Sequence, residues 1–285
     1  MKYNIYQPSE DLQDIVNQYV VLNSNEDVQD LLFLPNGCNF IVFNRGIKTS
    51  TYSFGGGDIV KMPKNYYVTA KTNKVKKLVI DLDTEDYKDY FPIIFVELSP
   101  AGFYKLFNMD ASVISNKYME IKKETAESYF SELYKHKNIS EELAYLNSSL
   151  LKLKNSHCYT SNNSIFCIDD VIDRIENYYN FEVKVENLLS EFGCSRSTME
   201  RQFKKIIGLT PKNFIFISKF CRTLLEYLEN NYTFHELQYI YSDNSHMNAV
   251  FQKFLGIPPS EIFAKVARGE LYIYQLNNLK KLKTT

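Results

Sequence analysis

Two short segments carry basic and polar side chains at spacings that place them on one face of a helix. The first set comprises Arg196, Ser197, Glu200, Arg201, Lys204 and Lys205. The second set comprises Asn244, Ser245, His246, Asn248, Gln252 and Lys253. Arginine can form a forked pair with guanine, and asparagine and glutamine can pair with adenine. Lysine displaces counterions from phosphates. These residue types therefore predict contacts to the base edges and backbone of duplex DNA.

The two segments are diverged copies of each other, 48 residues apart. The first copy contains Ser197, Met199, Phe203, Lys205, Gly208 and Pro211, and the second contains Ser245, Met247, Phe251, Lys253, Gly256 and Pro259. Six identities at one fixed offset, without a gap, indicate a structural unit that is used twice.

Local signals place each set at the start of a helix that follows a turn. Ser195 and Asp243 are favourable N-cap residues, and Gly208 is a stop signal. Pro211 suits the first turn of a further helix, which extends to about residue 230. Twenty residues at ~1.5 Å each span ~30 Å. Successive major grooves on one face of DNA lie ~34 Å apart. We therefore predict two helix-turn-helix units joined by a long helix.

The charge distribution favours this interpretation locally. Seven basic residues and one acidic residue lie between Arg196 and Arg222, although the whole chain has a net charge of −1. Residues 165–271 contain 12 basic and 14 acidic residues, and the second copy contributes little positive charge. The alternative hypothesis is a helical protein-interaction module that no longer reads DNA. Steep loss of affinity with rising salt would identify a DNA reader.

The C-terminal motifs resemble those of the AraC/XylS family of bacterial transcription regulators. The matching positions are Ser195, Met199, Arg201, Phe203, Gly208 and Pro211, then Ser242, Asp243, Ser245, His246, Met247, Phe251, Gly256, Pro258, Pro259, Ser260 and Glu261. The resemblance covers residues 165–265 and implies two bridged helix-turn-helix subdomains, with an effector or dimerisation domain elsewhere. It implies that Ser197, Glu200 and Arg201 face bases in the first unit. In the second unit the implied residues are Asn244, Ser245, His246 and Ala249.

The second copy departs from the family pattern at three positions. Glu236 and Ile240 occupy sites where small residues are usual, and Ala249 stands where a basic residue is common. These differences affect the expected affinity of the second unit for DNA.

The predicted fold is an α+β, multi-domain chain. Residues 1–154 form a β-rich sensor or dimerisation domain that ends in helices, and 155–164 form a linker. Residues 165–276 form the all-α domain, and 277–285 form a basic tail. Two stretches, 34–44 and 98–107, are similar to a sensor domain found on some members of the same family. That similarity implies a cupin-like barrel or a related sandwich with flanking helices.

Aromatic residues of the β-rich region are candidates for a ligand pocket, namely Phe40, Phe54, Tyr66 and Tyr67. The alternative is that they fill the core. Lys71, Lys74, Lys76 and Lys77 suit either an anionic ligand or an exposed sheet edge. A leucine stripe over 143–153 suits either a dimer interface or packing on its own domain.

Catalytic chemistry is not expected. Residues 1–135 contain no histidine, whereas a metal-binding barrel needs clustered histidine ligands. Phosphate-loop and nucleophile-elbow motifs are also absent from the sequence. We expect no metal, no cofactor and no membrane span, and a cytoplasmic, nucleoid-associated protein. Double-stranded DNA is the expected partner, and RNA polymerase, a small-molecule effector and a second copy of the chain are further candidates.

Overall fold

The structure is a computed structural model with an N-terminal part built on sheets and a C-terminal part built from helices. It describes residues 3–24, 31–46, 49–53, 59–71, 74–80, 91–114, 118–157, 166–177, 183–230, 241, 243–268 and 272–273. Phe54 and the predicted tail 277–285 lie outside these ranges.

The described strands form two sheets. The first is antiparallel, in the order β1 (Asn4–Tyr6), β2 (Val16–Leu22), β9 (Ile93–Leu98), β4 (Phe40–Phe43), β7 (Tyr67–Thr69) and β10 (Tyr118–Glu120). The second follows the order β11 (Tyr272–Ile273), β3 (Leu31–Phe33), β8 (Lys76–Ile80), β5 (Thr49–Ser53) and β6 (Val60–Lys61). Side chains from both sheets, including Phe40, Phe95 and Leu78, share one apolar core. The two sheets therefore pack face to face.

The central strands of the first sheet are covered on both faces. Every residue of β4 and β9 is buried. One face meets the second sheet, and the other packs under helices α1 (Gly102–Phe107), α2 (Lys123–Phe130) and α3 (Ile139–Ser156). Because no position on these two strands faces water, both strands consist almost entirely of apolar residues.

Helix α3 packs against its own domain. Leu143, Leu146, Leu150 and Leu153 are all buried in the core beneath the first sheet. The leucine stripe is therefore occupied within the chain. Helix α3 continues to Ser156, so the first two residues of the predicted linker 155–164 are helical. Residues 158–165 lie outside the part of the chain that the structure describes.

The described residues of the C-terminal part form six helices. They are α4 (Ile168–Glu176), α5 (Val185–Glu191), α6 (Arg196–Ile206), α7 (Pro211–Asn230), α8 (Asn244–Leu255) and α9 (Pro259–Ala267). Phe203 and Phe214 belong to an apolar core with α4 to α6. Phe220 and Leu224, further along α7, belong to a second core with α8 and α9. Helix α7 therefore joins two separately packed units.

Both helical units dock on the N-terminal part. Ala101 and Tyr104 contribute to the core of the first unit. Leu32, Leu34 and Val75 contribute to the core of the second. The short strand β11 pairs in parallel with β3, which corrects the expectation of helix up to residue 276. Two residues are too few to produce a recognisable strand pattern, and their pairing depends on a partner more than 200 positions away.

No helix of the described part combines the length and hydropathy that a bilayer span requires. Within that same part, no cluster of three or more histidine, cysteine or acidic residues could hold a metal ion.

Candidate nucleic-acid interface

The first polar set lies on one face of α6. Ser195 caps the helix, and its side-chain oxygen accepts from the Thr198 backbone N–H at 3.2 Å. Met199, Phe203 and Ile206 point into the core. The predicted side chains lie on the other side, where Arg196, Ser197, Arg201, Lys204 and Lys205 are exposed and Glu200 is partly exposed. Apolar residues recur at helical spacing on the buried face, so the polar set on the opposite face is accessible to solvent.

Helix α8 repeats this arrangement. Asp243 caps it, and its Oδ1 accepts from the His246 backbone N–H at 2.7 Å. Met247, Val250 and Phe251 are buried, together with Phe254 and Leu255. The predicted set is exposed, namely Asn244, Ser245, His246, Asn248, Gln252 and Lys253, and so is Ala249.

The ends of the two helices also correspond. Gly208 and Gly256 adopt φ angles of 80° and 72°, in the left-handed region that glycine enters without a steric penalty. Pro211 and Pro259 each begin the next helix. The sequence repeat is therefore a repeat in structure over α6–α7 and α8–α9. Glu236 and Ile240 lie outside the described residues.

The positive charges on these faces have different surroundings. The Arg196 guanidinium pairs with Glu186 Oε1 at 2.5 Å. A backbone hydrogen bond at Glu186 itself, followed by the bond from Arg196, lowers the pKa of that carboxyl group. Lys205 lies 5.6 Å from the centre of the Tyr104 ring, and Lys253 lies 4.6 Å from that of Phe216. Exposed cation–π contacts contribute about 0.5–1 kcal/mol each. Both lysines are therefore directed along apolar surface rather than straight into solvent.

Helix α7 packs against both units. It contains 20 residues, so it is about 30 Å long at 1.5 Å per residue. Phe214, at its start, contacts Phe203 of α6 with ring centres 6.1 Å apart. Phe220, near its middle, stacks on Phe254 of α8 at 4.4 Å. Packed aromatic contacts thus connect α7 to both helices that carry the polar sets.

A separate cavity of about 170 Å³ lies between the two sheets of the N-terminal part. Phe40 and Tyr67, two of the candidate ligand-pocket residues, line it. Tyr66 does not line it and instead packs on Phe43 and Phe130 on the other face of the first sheet. Tyr66 and Tyr67 lie on opposite sides of the first sheet, because neighbouring residues of an extended chain point to opposite faces. That alternation was available in the sequence and separates Tyr66 from Tyr67.

The lysines near the cavity do not form one group. Lys74 and Lys76 line it, and burial together with the charge of Lys74 lowers the pKa of Lys76. Lys71 is buried, and its Nζ donates to the carbonyl oxygens of Pro100 and Ile207, each at 2.5 Å. Burial lowers the pKa of Lys71 to about 7. Lys71 therefore lies neither at an exposed sheet edge nor in the cavity, the two positions that the sequence interpretation offered for it. Nothing in the sequence around it signals a contact across 136 positions.

Two family models match the chain. One, described as a helix-turn-helix domain, matches residues 188–265. The other, described as a domain of unknown function (DUF6597), matches residues 4–120. The stretch between the two matches, residues 121–187, contains α2, α3, α4 and the start of α5.

One curated relative is the HTH-type transcriptional activator RhaS of Klebsiella pneumoniae (strain 342), which is 23% identical over 138 residues. The match covers 48% of this chain and 50% of RhaS, so it spans about half of that relative. ToxT of Vibrio cholerae is 11% identical to this chain, with a TM-score of 0.42, 91% of this chain covered and 96% of ToxT. The AraC-like transcriptional activator CuxR is 12% identical, with a TM-score of 0.30 and 84% of each chain covered.

Proposed function

The chain belongs to the AraC/XylS family of transcription regulators, and from this premise we propose that it binds specific DNA sequences through α6 and α8. In this proposal the two helices enter successive major grooves on one face of the duplex. One observation carries it: two capped helices with exposed polar faces are joined by a helix about 30 Å long.

Each helix has a different means of recognition. Arg201 is exposed on α6 and is the residue of that face best suited to guanine, because its guanidinium matches the two acceptors on the base. Helix α8 carries no arginine. Asn244, Asn248 and Gln252 are exposed there, and their amide groups suit adenine. The first unit would supply most of the electrostatic attraction, and the second would add neutral hydrogen bonds.

Selection of bound fragments from random duplex DNA with the purified full chain tests the proposal. The enriched site should contain two conserved parts about one helical turn apart. Arg201→Ala should weaken binding to that site by about 1–3 kcal/mol, or roughly 5- to 150-fold in Kd, and relax the preference at one base pair.

Arg174→Ala is the matched control. Arg174 lies on α4 of the same unit and pairs with Glu191 of α5 at 2.8 Å. The control variant therefore removes one positive charge that is not on the proposed reading face. Equal losses in the two variants would assign Arg201 to general electrostatic attraction. Failure of any sequence to be enriched would favour the protein-interaction alternative.

We also propose that the cavity between the sheets holds a small effector. Its walls are largely aromatic and aliphatic, and Lys74 and Lys76 add positive charge. Apolar pockets with a few convergent polar groups are typical of small-molecule sites. The chemistry of this cavity favours an apolar molecule with an acidic group.

The fluorescent anion anilinonaphthalene sulfonate is a suitable probe of this cavity. Binding should be saturable, and Leu78→Trp should abolish it, because Leu78 lines the cavity and the larger ring would fill it. Val79→Trp is the control, since the next residue of β8 is 40% exposed. Equal probe binding by the two variants would contradict the assignment of the cavity as the site.

A further inference from the structure

Two short segments of the N-terminal part are shared between the cavity and the C-terminal helices. In the first, Leu34, Pro35, Asn36 and Cys38 line the cavity. In the second, Thr69, Ala70, Lys74 and Lys76 line the cavity. Gly37 in the first segment, and Lys71 and Val75 in the second, contact the helical units. The wall of the cavity is therefore also the surface on which the helices rest.

The first segment contacts the start and the middle of α7. Gly37 has a φ of 73°, and a Cβ atom at this position would lie 2.6 Å from Cε2 of Phe214. The Cys221 thiol donates to the Pro35 carbonyl oxygen at 3.4 Å. The ring of Phe214 therefore packs directly on the backbone of Gly37. Any larger residue at position 37 would push against this ring of α7.

The second segment bonds to the C-terminal ends of both helices that carry the polar sets. Lys71 Nζ donates to the carbonyl oxygen of Ile207, directly after α6. The Val75 backbone N–H donates to the carbonyl oxygen of Phe254, in the last turn of α8, at 2.9 Å. The last carbonyls of a helix lack partners within it and carry partial negative charge, so donors there are favourable. One segment thus supplies a donor to equivalent ends of two repeated helices.

We propose that Lys71 and Val75 form a bracket that fixes the position of the two reading helices relative to each other, with Lys71 as the positioning residue of α6. This inference rests on the proposed function, since it assigns the regulation of DNA reading to the cavity wall. The bracket holds the ends of the helices that are remote from their N-caps, so it leaves the exposed polar faces accessible. The N-terminal part therefore supports DNA binding in the docked arrangement.

Lys71→Met in the full chain tests the bracket, and Lys61→Met is its control because Lys61 is an exposed lysine of β6, also in the N-terminal part. On the selected two-part site, Lys71→Met should weaken binding on the order of tenfold. Hydroxyl-radical footprinting should lose protection on the α6 half of the site and keep it on the α8 half. Wild-type affinity, or equal loss of protection in both halves, would overturn the role of Lys71.

Gly37→Ala is a second variant that acts through α7, with Gly46→Ala as its control. Both glycines have positive φ angles, but no atom lies within 4 Å of a Cβ atom built at Gly46. Gly37→Ala should weaken DNA binding and Gly46→Ala should not. Equal effects would show that backbone strain alone, and not the contact with α7, controls binding.

Hydrogen exchange tests the bracket without DNA. The amides of Ile207 and Gly208 bond back to α6, and in Lys71→Met they should exchange faster, whereas the Gly256 amide after α8 should not change. Unchanged exchange at Ile207 and Gly208 would refute the bracket itself. Faster exchange in a protein whose wild type selects no DNA site would instead refute the proposed function and leave the bracket standing as a structural contact.

Discussion

Gly208, at the end of α6, provides a direct test of how tightly the first helical unit docks. Its φ is 80°, and a Cβ atom at this position would lie 2.8 Å from the carbonyl oxygen of Ala111 and 3.2 Å from its carbonyl carbon. The Gly208→Ala variant therefore combines two perturbations. It places a side chain in the left-handed region, and it forces that side chain against the backbone of the N-terminal part.

A second glycine separates the two effects. Gly193 has a φ of 60°, and no atom lies within 4 Å of a Cβ atom built there. Alanine in the left-handed region costs about 1–3 kcal/mol, and this applies to both positions. Overpacking costs about 1–3 kcal/mol more, and it applies to Gly208→Ala alone. We expect the two variants to differ by about that second amount.

Calorimetric unfolding of the full chain, run side by side for the two variants and wild type, measures this difference. For a chain of this size, each kcal/mol lowers the midpoint by roughly 2–4 °C. Gly208→Ala should therefore unfold several degrees below Gly193→Ala. Coincident midpoints would refute the close contact between the end of α6 and residue 111, and with it the docked arrangement.

Three further predictions concern the cap, the charge and the pH response. Asp243→Ala should lower stability by about 1 kcal/mol, because the hydrogen bond from the His246 amide is lost. Asp243→Asn should retain most of that stability, and thermal melts followed by circular dichroism measure both changes. Lys204→Ala should reduce the slope of log Kd against log salt by about 1, and an unchanged slope would remove Lys204 from the phosphate contacts. Burial raises the pKa of Glu176 to about 7, above its unfolded value, so the native state binds the extra proton. Unfolding free energy in urea should then fall as pH rises from 5 to 7, and Glu176→Gln should flatten this trend.

Features that depend on local sequence were predictable. The caps at Ser195 and Asp243, the glycine stop at Gly208 and the proline start of α7 each depend on residues within one or two helical turns. The repeat added a second constraint, because the same buried positions had to recur after 48 residues. Exposure of the two polar sets followed from the apolar period on the opposite face of each helix.

Features that depend on distant contacts were not predictable. The sequence gives no sign that Lys71 crosses to the end of α6 or that Val75 bonds to the end of α8. A lysine is far more often exposed than buried, so residue type alone favoured an exposed position for Lys71, which is in fact buried. The pairing of β11 with β3 depends in the same way on how the two parts of the chain dock.

Methylation protection of guanine N7 on the selected site tests the central claim most directly, because that atom faces the major groove. Helices α6 and α8, joined through α7, should protect two clusters of guanines on one face of the duplex, separated by about one helical turn. Protection of one cluster alone, or of clusters on opposite faces of the duplex, would contradict the account.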